Sequence, residues 1–307
     1  MTKVFIDGSA GTTGLRIYER LGARRDIALL TLPDDKRKDP AARREMLHTA
    51  DIAFLCLPDA AAVEAVALAE GAAVSIIDTS TAHRVNPAWV YGFPELTGKR
   101  DAIKTAKRIA NPGCHASGFV ALVAPLVENG LLKPDARLTC TSLTGYSGGG
   151  KQMIAQYEAS DRDPLLAAPR VYGLGQQHKH LKEMAAVCGL HNAPVFCPIV
   201  APYYSGMEVS IPLFMGDVNG TKTDIADVYR MYYTKGLVRF AESADEDGFL
   251  SAAAFSGRDD MQLTVTGNDE RVVLTARFDN LGKGASGAAI QNMNLLLGVD
   301  EATGLTI

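Results

Sequence analysis

The feature that most narrows the fold is an alternation near the start of the chain. Four short apolar segments, KVFID (3–7), IALLTL (27–32), IAFLCL (52–57) and VSIID (74–78), alternate with three helix-compatible ones. The first of these places Leu15, Tyr18 and Leu21 on one helical face; the others are AARREML (41–47) and DAAAVEAVALAE (59–70). Parallel strands need a crossover, and crossover helices cover both sheet faces, so such strands read as unbroken apolar runs. The pattern predicts an α/β domain with a doubly covered parallel sheet.

The turn after the first strand reads GSAGTTG, with Gly8, Gly11 and Gly14 at a spacing of three and Ser9, Ala10, Thr12 and Thr13 between them. Strand, glycine-rich turn and helix open a Rossmann-type dinucleotide-binding unit, in which glycines let the backbone approach a pyrophosphate resting on a helix N-terminus. The spacing departs from G-x-G-x-x-G, so the surrounding alternation carries the argument. After the second strand comes LPDDKRKD. Asp34 or Asp35 would bind a ribose 2′-hydroxyl and favour NAD, whereas Lys36, Arg37 and Lys38 would hold a 2′-phosphate. The stretch DTSTAHR (78–84) follows the fourth strand, at the carboxyl edge where open α/β sheets bind ligands.

Beyond about residue 135 the pattern changes. ARLTCTSLTG, PVFCPIVAP, GMEVSIPLF, MQLTVTG and ERVVLTARF read as strands, the last two joined at Asn268-Asp269, a hairpin signal. Helices are expected at 150–158, 177–188 and 223–234, and a closing one in KGASGAAIQNMNLLLG, with Ala289, Met293 and Leu296 or Leu297 on the face that returns to the first domain. The expected fold is α/β: a Rossmann-type domain over 1–114 and 280–307, and a second α+β catalytic and dimerisation domain over 115–279 with a mixed, largely antiparallel sheet.

Composition excludes several functions. A net charge of −4 argues against nucleic acid or an anionic membrane surface as partner. No apolar run approaches the ~18 residues of a membrane-spanning helix. The start of the chain lacks a secretory leader pattern, so a cytoplasmic protein is expected. The five cysteines, Cys56, Cys114, Cys140, Cys188 and Cys197, include no C-x-x-C pair, so neither a disulfide framework nor a metal site is expected. Four of them are expected to be small buried hydrophobes.

Cys114 differs. It lies in NPGCHASGFVALVAPLV, directly after a turn and at the foot of an apolar helix. A helix N-terminus stabilises a thiolate and offers backbone donors to an oxyanion. Such a nucleophile needs a proton-transfer partner. QQHKHLKEM carries His178 and His180 on an expected helix, about 200° apart, so one of the two should face the site; His180 and Glu183 share a face. TGYSGGGK places Ser147, Gly148 and Lys151 before another helix, a setting suited to an anion.

Taken in order, GSAGTTGLRIYERL, DTSTAHRVNPAWVYGFPEL, NPGCHASGF, GYSGGGKQMIAQYE, HKHLKEM, GMEVSIPL and DNLGKGASGAAIQNMN resemble the shorter class of the N-acetyl-γ-glutamyl-phosphate reductases of arginine biosynthesis, a family related to aspartate-semialdehyde dehydrogenase. The resemblance spans nearly the whole chain. It implies NADPH-dependent reduction of an acyl phosphate through a thioester on Cys114, with His180 as acid/base and no metal. It implies cofactor contacts at Gly8, Ser9, Ala10, Gly11, Thr12, Thr13, Gly14, Lys36, Arg37, Lys38, Ser80 and Asn280. Substrate contacts are implied at Arg84, Asn111, Ser147, Gly148, Lys151, Glu183 and Glu208. The implied cofactor is NADP, the partners are the small-molecule acyl phosphate and further copies of the chain, and the assembly is a dimer or tetramer. His115 stands where many relatives carry Tyr or Phe, which makes it a second candidate for proton handling. The rival readings are a semialdehyde dehydrogenase acting on aspartyl phosphate and a non-catalytic NADP-binding redox sensor.

Overall fold

The computed structural model describes residues 1–307. The chain forms two compact units: Met1–Gly113 with Ala285–Leu305, and Cys114–Gly284 with Thr306–Ile307.

The first unit runs β1 (Thr2–Asp7), α1 (Thr12–Gly22), β2 (Ile27–Leu30), α2 (Pro40–Thr49), β3 (Ile52–Leu55), α3 (Asp59–Leu68), β4 (Ser75–Asp78), β5 (Val90–Tyr91), α4 (Lys99–Thr105) and β6 (Arg108–Ala110). All six strands are parallel, in the order β2-β1-β3-β4-β6-β5. This is the expected Rossmann-like parallel sheet. Strand order reverses between β1 and β3, which puts the ligand-binding crevice of such a sheet at their carboxyl ends. Alternate side chains feed two cores. Val4, Ile6, Ile52, Phe54 and Ile77 join Ile17 and Leu21 of α1 on one face; Phe5, Ala53, Leu55 and Ile76 join Leu47 of α2 and Ala62 and Ala65 of α3 on the other.

Two features of this unit depart from the sequence reading. The core face of α1 is Gly14, Ile17 and Leu21, while Leu15 and Tyr18 are exposed. The cause is a close approach: a Cβ on Gly14 would lie 2.4 Å from the Gly8 carbonyl oxygen, so the helix meets the sheet along the line through Gly14. The elements β5, α4 and β6 went unrecognised because they span two, seven and three residues, too short for periodicity. The closing helix (Gly287–Leu297) packs as expected, with Ala289, Ile290 and Met293 in the α1-side core and Leu296 and Leu297 against it.

The second unit opens on α5 (Cys114–Glu128), followed by β7 (Thr139–Gly145), α6 (Gly150–Glu158), β8 (Arg170–Val171), α7 (His180–Cys188), β9 (Val195–Ala201), β10 (Met207–Phe214), α8 (Lys222–Tyr232), β11 (Val238–Phe240), β12 (Met261–Gly267) and β13 (Arg271–Phe278). Its sheet is mixed, in the order β11-β12-β13-β10-β7-β9-β8, with parallel pairing only at β11–β12 and β7–β9. The β12–β13 hairpin forms at the expected Asn268-Asp269, where the Asn268 side chain accepts from the backbone N–H groups of Glu270 and Arg271.

Helix α5 is buried from His115 to Leu126. Gly118 allows this: a Cβ there would lie 2.5 Å from Val209 Cγ2 of β10. Pro125 inside the helix removes the N–H that would bond the Ala121 carbonyl. The Tyr233 hydroxyl donates to that carbonyl at 2.7 Å, and the Tyr229 hydroxyl to the Leu122 carbonyl at 2.6 Å. Two tyrosines thus satisfy the turn that proline disrupts. No helix of the protein is long and apolar enough to cross a membrane.

Candidate active site

In the first unit, Gly8 has φ +89°, and a Cβ there would lie 2.3 Å from the Cys56 carbonyl oxygen at the end of β3. Only glycine fits that conformation and that approach. Gly11 caps α1 with no side-chain hydrogen bond, so the helix N–H groups stay open to a ligand. Thr12 Oγ1 is buried without a hydrogen-bond partner. A backbone cradle, an uncapped helix start and an orphaned hydroxyl fit a pyrophosphate. Lys36, Arg37 and Lys38 are exposed beyond β2, and Arg37 pairs with Asp34 at 2.8 Å.

At the carboxyl end of β4, Asp78 is fully buried and accepts from the Ser80 N–H and hydroxyl at 2.9 and 2.7 Å; His83 Nδ1 lies 2.6 Å from it. Ser80 therefore organises this loop through its own carboxylate partner. Buried Arg84 donates to the carbonyls of Asn111 and Thr79 at 3.0 and 2.9 Å. Asn111 in turn donates to the Ala285 carbonyl and accepts from Asn292 of the closing helix. Arg84 and Asn111 thus tie the end of β6 to the loop after β4.

In the second unit, Cys114 is the first residue of α5 and half-buried. A Cβ on Gly284 would lie 3.0 Å from the Cys114 Cβ, so glycine at 284 lets the π-helical turn Gly282–Ser286 pass beside the nucleophile candidate. A helix N-terminus is a setting that favours a thiolate over a thiol.

Three imidazoles gather next to it. The His115 ring centroid is 5.5 Å from that of His178 and 5.6 Å from that of His180, and those two are 4.7 Å apart. The expectation that only one of His178 and His180 faces the site is corrected: α7 begins at His180, not 177, so His178 lies in the preceding turn and helical spacing does not separate the pair. His178 Nδ1 accepts the His180 backbone N–H at 3.2 Å, which fixes it as an acceptor at that nitrogen. His180 and Glu183 are both buried on α7.

His115 is enclosed by its partners. Burial first, and His178 second, depress its pKa to about 3, so it stays neutral. Both ring nitrogens are engaged, Nδ1 with Ser142 Oγ at 2.7 Å and Nε2 with the Tyr172 hydroxyl at 2.5 Å. Burial, with neighbouring Cys114 adding to it, pushes the Tyr172 phenol above its usual range. Tyr172, Ser142 and Phe196 complete this cluster and are not marked in the sequence; Ser142 and Phe196 lie on β7 and β9 and Tyr172 just after β8, and nothing local marks them.

A second network lies where β7 ends. Asn280 accepts the Gly206 N–H and donates to Ser147 Oγ, both at 3.0 Å, and a Cβ on Gly148 would lie 3.4 Å from Asn280 Nδ2. Its neighbour Asp279, fully buried, accepts from Ser205 Oγ and the N–H groups of Gly257, Leu281 and Gly282. Lys151 is exposed in the first turn of α6. Glu208 is not brought to the cysteine. Val209 packs under Gly118 of α5, so Glu208 points to the opposite sheet face, where it accepts from Ser210 Oγ at 2.9 Å and burial raises its pKa. Among the other cysteines, Cys140 and Cys188 are buried as expected, but Cys197 is exposed and Cys56 only partly buried. Alternation along β9 turns Cys197 away from Phe196 and the core. No group of three or more His, Cys, Asp or Glu side chains is arranged to hold a metal ion.

Comparison with known proteins places the chain in a family. Residues 3–106 match the semialdehyde dehydrogenase NAD-binding domain and 114–280 the semialdehyde dehydrogenase dimerisation domain. The chain is 44% identical to N-acetyl-gamma-glutamyl-phosphate reductase 2 of Nostoc sp., covering 99% of both chains, and 46% identical to the N-acetyl-gamma-glutamyl-phosphate reductase of Brucella anthropi, covering 96% and 98%. The chain belongs to the semialdehyde dehydrogenase family and, within it, to the N-acetyl-γ-glutamyl-phosphate reductases. Its cofactor class is accordingly a nicotinamide dinucleotide. Among solved structures, aspartate semialdehyde dehydrogenase II of Vibrio cholerae superposes with a TM-score of 0.73 at 16% identity, covering 97% of this chain and 98% of that one. The Candida albicans aspartate semialdehyde dehydrogenase with NADP gives 0.68 at 16% identity, covering 97% and 98%. At that identity the superpositions speak to the fold, which is the expected pairing of a Rossmann-like domain with a mixed α+β domain.

Proposed function

We propose that this protein reduces N-acetyl-γ-glutamyl phosphate to N-acetyl-L-glutamate 5-semialdehyde and phosphate, as a step of arginine biosynthesis. The observation that carries the reading is Cys114 at the head of α5 beside a buried imidazole cluster, in a chain of this family. The Cys114 thiolate attacks the acyl carbon, the C–O bond to phosphate breaks, and an acyl thioester remains on sulfur. Backbone N–H groups at the start of α5 hold the oxyanion. His180 moves the proton at the substrate oxygen, and buried Glu183 orients it. His178 is left to brace the start of α7 through the Nδ1 contact. When bound, the reduced nicotinamide supplies the hydride that converts the thioester carbon to the aldehyde level. Collapse of the resulting hemithioacetal frees the aldehyde and returns the thiolate.

Ser147, Gly148 and Lys151 receive the substrate's anionic part at the start of α6. NADP is the form used: Lys36, Arg37 and Lys38 supply cations beside the adenosine ribose, and Asp34 is already paired with Arg37. The second unit is read as the surface that joins copies of the chain, as its family model's description suggests. The test is phosphate-dependent NADP reduction with N-acetyl-L-glutamate 5-semialdehyde, comparing the native protein with Cys114→Ala. Turnover requiring both phosphate and Cys114 is expected; turnover surviving Cys114→Ala would remove the thioester route.

A further inference from the structure

Arg170 is a half-buried cation with no acid of its own. Its Nη2 donates to the Tyr157 hydroxyl at 3.0 Å, and its guanidinium carbon lies 5.4 Å from the centroid of the Tyr157 ring. Its Nε is buried with no hydrogen-bond partner. Arg43 and Arg277, which are buried, each face a carboxylate: Asp7 and Glu64 for the first, Glu246 for the second. An arginine stays charged at any working pH, and leaving one of its buried N–H groups unpaired costs stability. A planar guanidinium fork suits a carboxylate that arrives from outside.

The sheet register says where that carboxylate would sit. Val171 is exposed, so Arg170 and Tyr172 point to the inner side of β8. Tyr172 reaches His115, the neighbour of Cys114, and His115 bonds Ser142. Arg170 pairs with Val200, and Val200 with Thr144, one side-chain row nearer the Ser147 turn than the row holding Ser142 and Pro198. Tyr157 beneath Arg170 stacks on Tyr146, which precedes Ser147. Two residues along a strand span about 6.7 Å. The acyl carbon and the α-carboxylate carbon of an extended glutamyl chain are about 5 Å apart. A substrate anchored on Cys114 by its γ-carboxyl carbon carries its α-carboxylate about one such row away from the sulfur, the spacing that separates the Arg170 row from the Tyr172 row.

We infer that Arg170 binds the α-carboxylate of the substrate and so selects an N-acyl amino acid over a chain lacking that group, an inference that rests on the reaction proposed above. The acyl phosphate loses phosphate at Cys114, whereas the carboxylate persists in substrate and product, so one fixed cation serves both directions.

The experiment compares phosphate-dependent NADP reduction with N-acetyl-L-glutamate 5-semialdehyde and with 4-acetamidobutanal, the same aldehyde without its carboxylate. In Arg170→Gln the ratio of kcat/KM for the two aldehydes should fall about a hundredfold, and in Arg170→Lys about tenfold, with KM for inorganic phosphate unchanged. A support for Tyr157 alone would affect both aldehydes equally, so an unchanged ratio in either variant overturns the inference. A rise in phosphate KM with the ratio retained assigns Arg170 to the phosphoryl group and also overturns it. If Arg170→Gln fails to fold, Arg170→Lys, which keeps the charge and the stem, decides alone. Wild-type protein that binds NADP but does not turn over the semialdehyde removes the proposed reaction first, and the carboxylate with it.

Discussion

Replacing His115 by glutamine should make the protein less sensitive to acid. Burial depresses the His115 pKa from 6.5 to about 3 in the folded state. Between those values the unfolded chain takes up a proton that the native imidazole refuses. The contribution is therefore fully present above pH 6.5 and is lost as the pH falls toward 3. The gap of roughly 3.5 pH units, at about 1.4 kcal/mol each, amounts to about 5 kcal/mol in full and to about 2.7 kcal/mol by pH about 4.5. Glutamine offers one acceptor and one donor group toward Ser142 Oγ and the Tyr172 hydroxyl, and does not titrate. It forfeits the ring packing on Phe196, so the variant should start less stable near neutrality. Urea unfolding of both proteins at one concentration, from pH about 7.5 to about 4.5, would measure the difference. Below pH about 6.5 the wild type should lose its advantage by about 1.4 kcal/mol per unit. A difference that stays constant across that range would mean that native His115 accepts a proton as readily as the unfolded chain, and would refute the assignment of a neutral structural imidazole.

Two further outcomes follow from the geometry. Gly8→Ala should weaken NADPH binding, followed by cofactor fluorescence, by at least about tenfold, because a Cβ would lie 2.3 Å from the Cys56 carbonyl oxygen; Gly22→Ala, with nothing within 4 Å, should bind normally, and equal binding by both would reject the cradle. His180→Asn should lower kcat by roughly a hundredfold, whereas His178→Asn, whose Nδ1 accepts the His180 backbone N–H, should lower it far less; the reverse order would exchange their roles.

The parts of this molecule legible in its sequence are those written over short distances. Apolar runs spaced by helices announced the parallel sheet, and the Gly8–Gly14 turn announced what its first crossover is for. Cys114 was readable because turn and helix adjoin it in the chain. Local pattern failed where a long-range contact overrode it. Leu15 and Tyr18 look like a core face, yet the approach of Gly14 to Gly8 rotates them outward. Glu208 sits in a familiar-looking segment, but strand alternation sends it to the sheet face opposite α5.

The sequence by itself marked the longer elements, the glycine turn, the helix-start cysteine and the family, because each is carried by neighbours in the chain. Only the tertiary structure decided how the three histidines are placed and partnered. His115, His178 and His180 are all within reach of one another. What separates them is what surrounds each ring: Ser142 and Tyr172 engage His115, and the backbone of His180 engages His178. It also brought Arg170, with its unpaired Nε, onto the inner sheet face beside Tyr172. The reason is the same in both cases. Protonation and anion affinity depend on burial and on partners from distant strands, and these exist only once the sheet has closed around them.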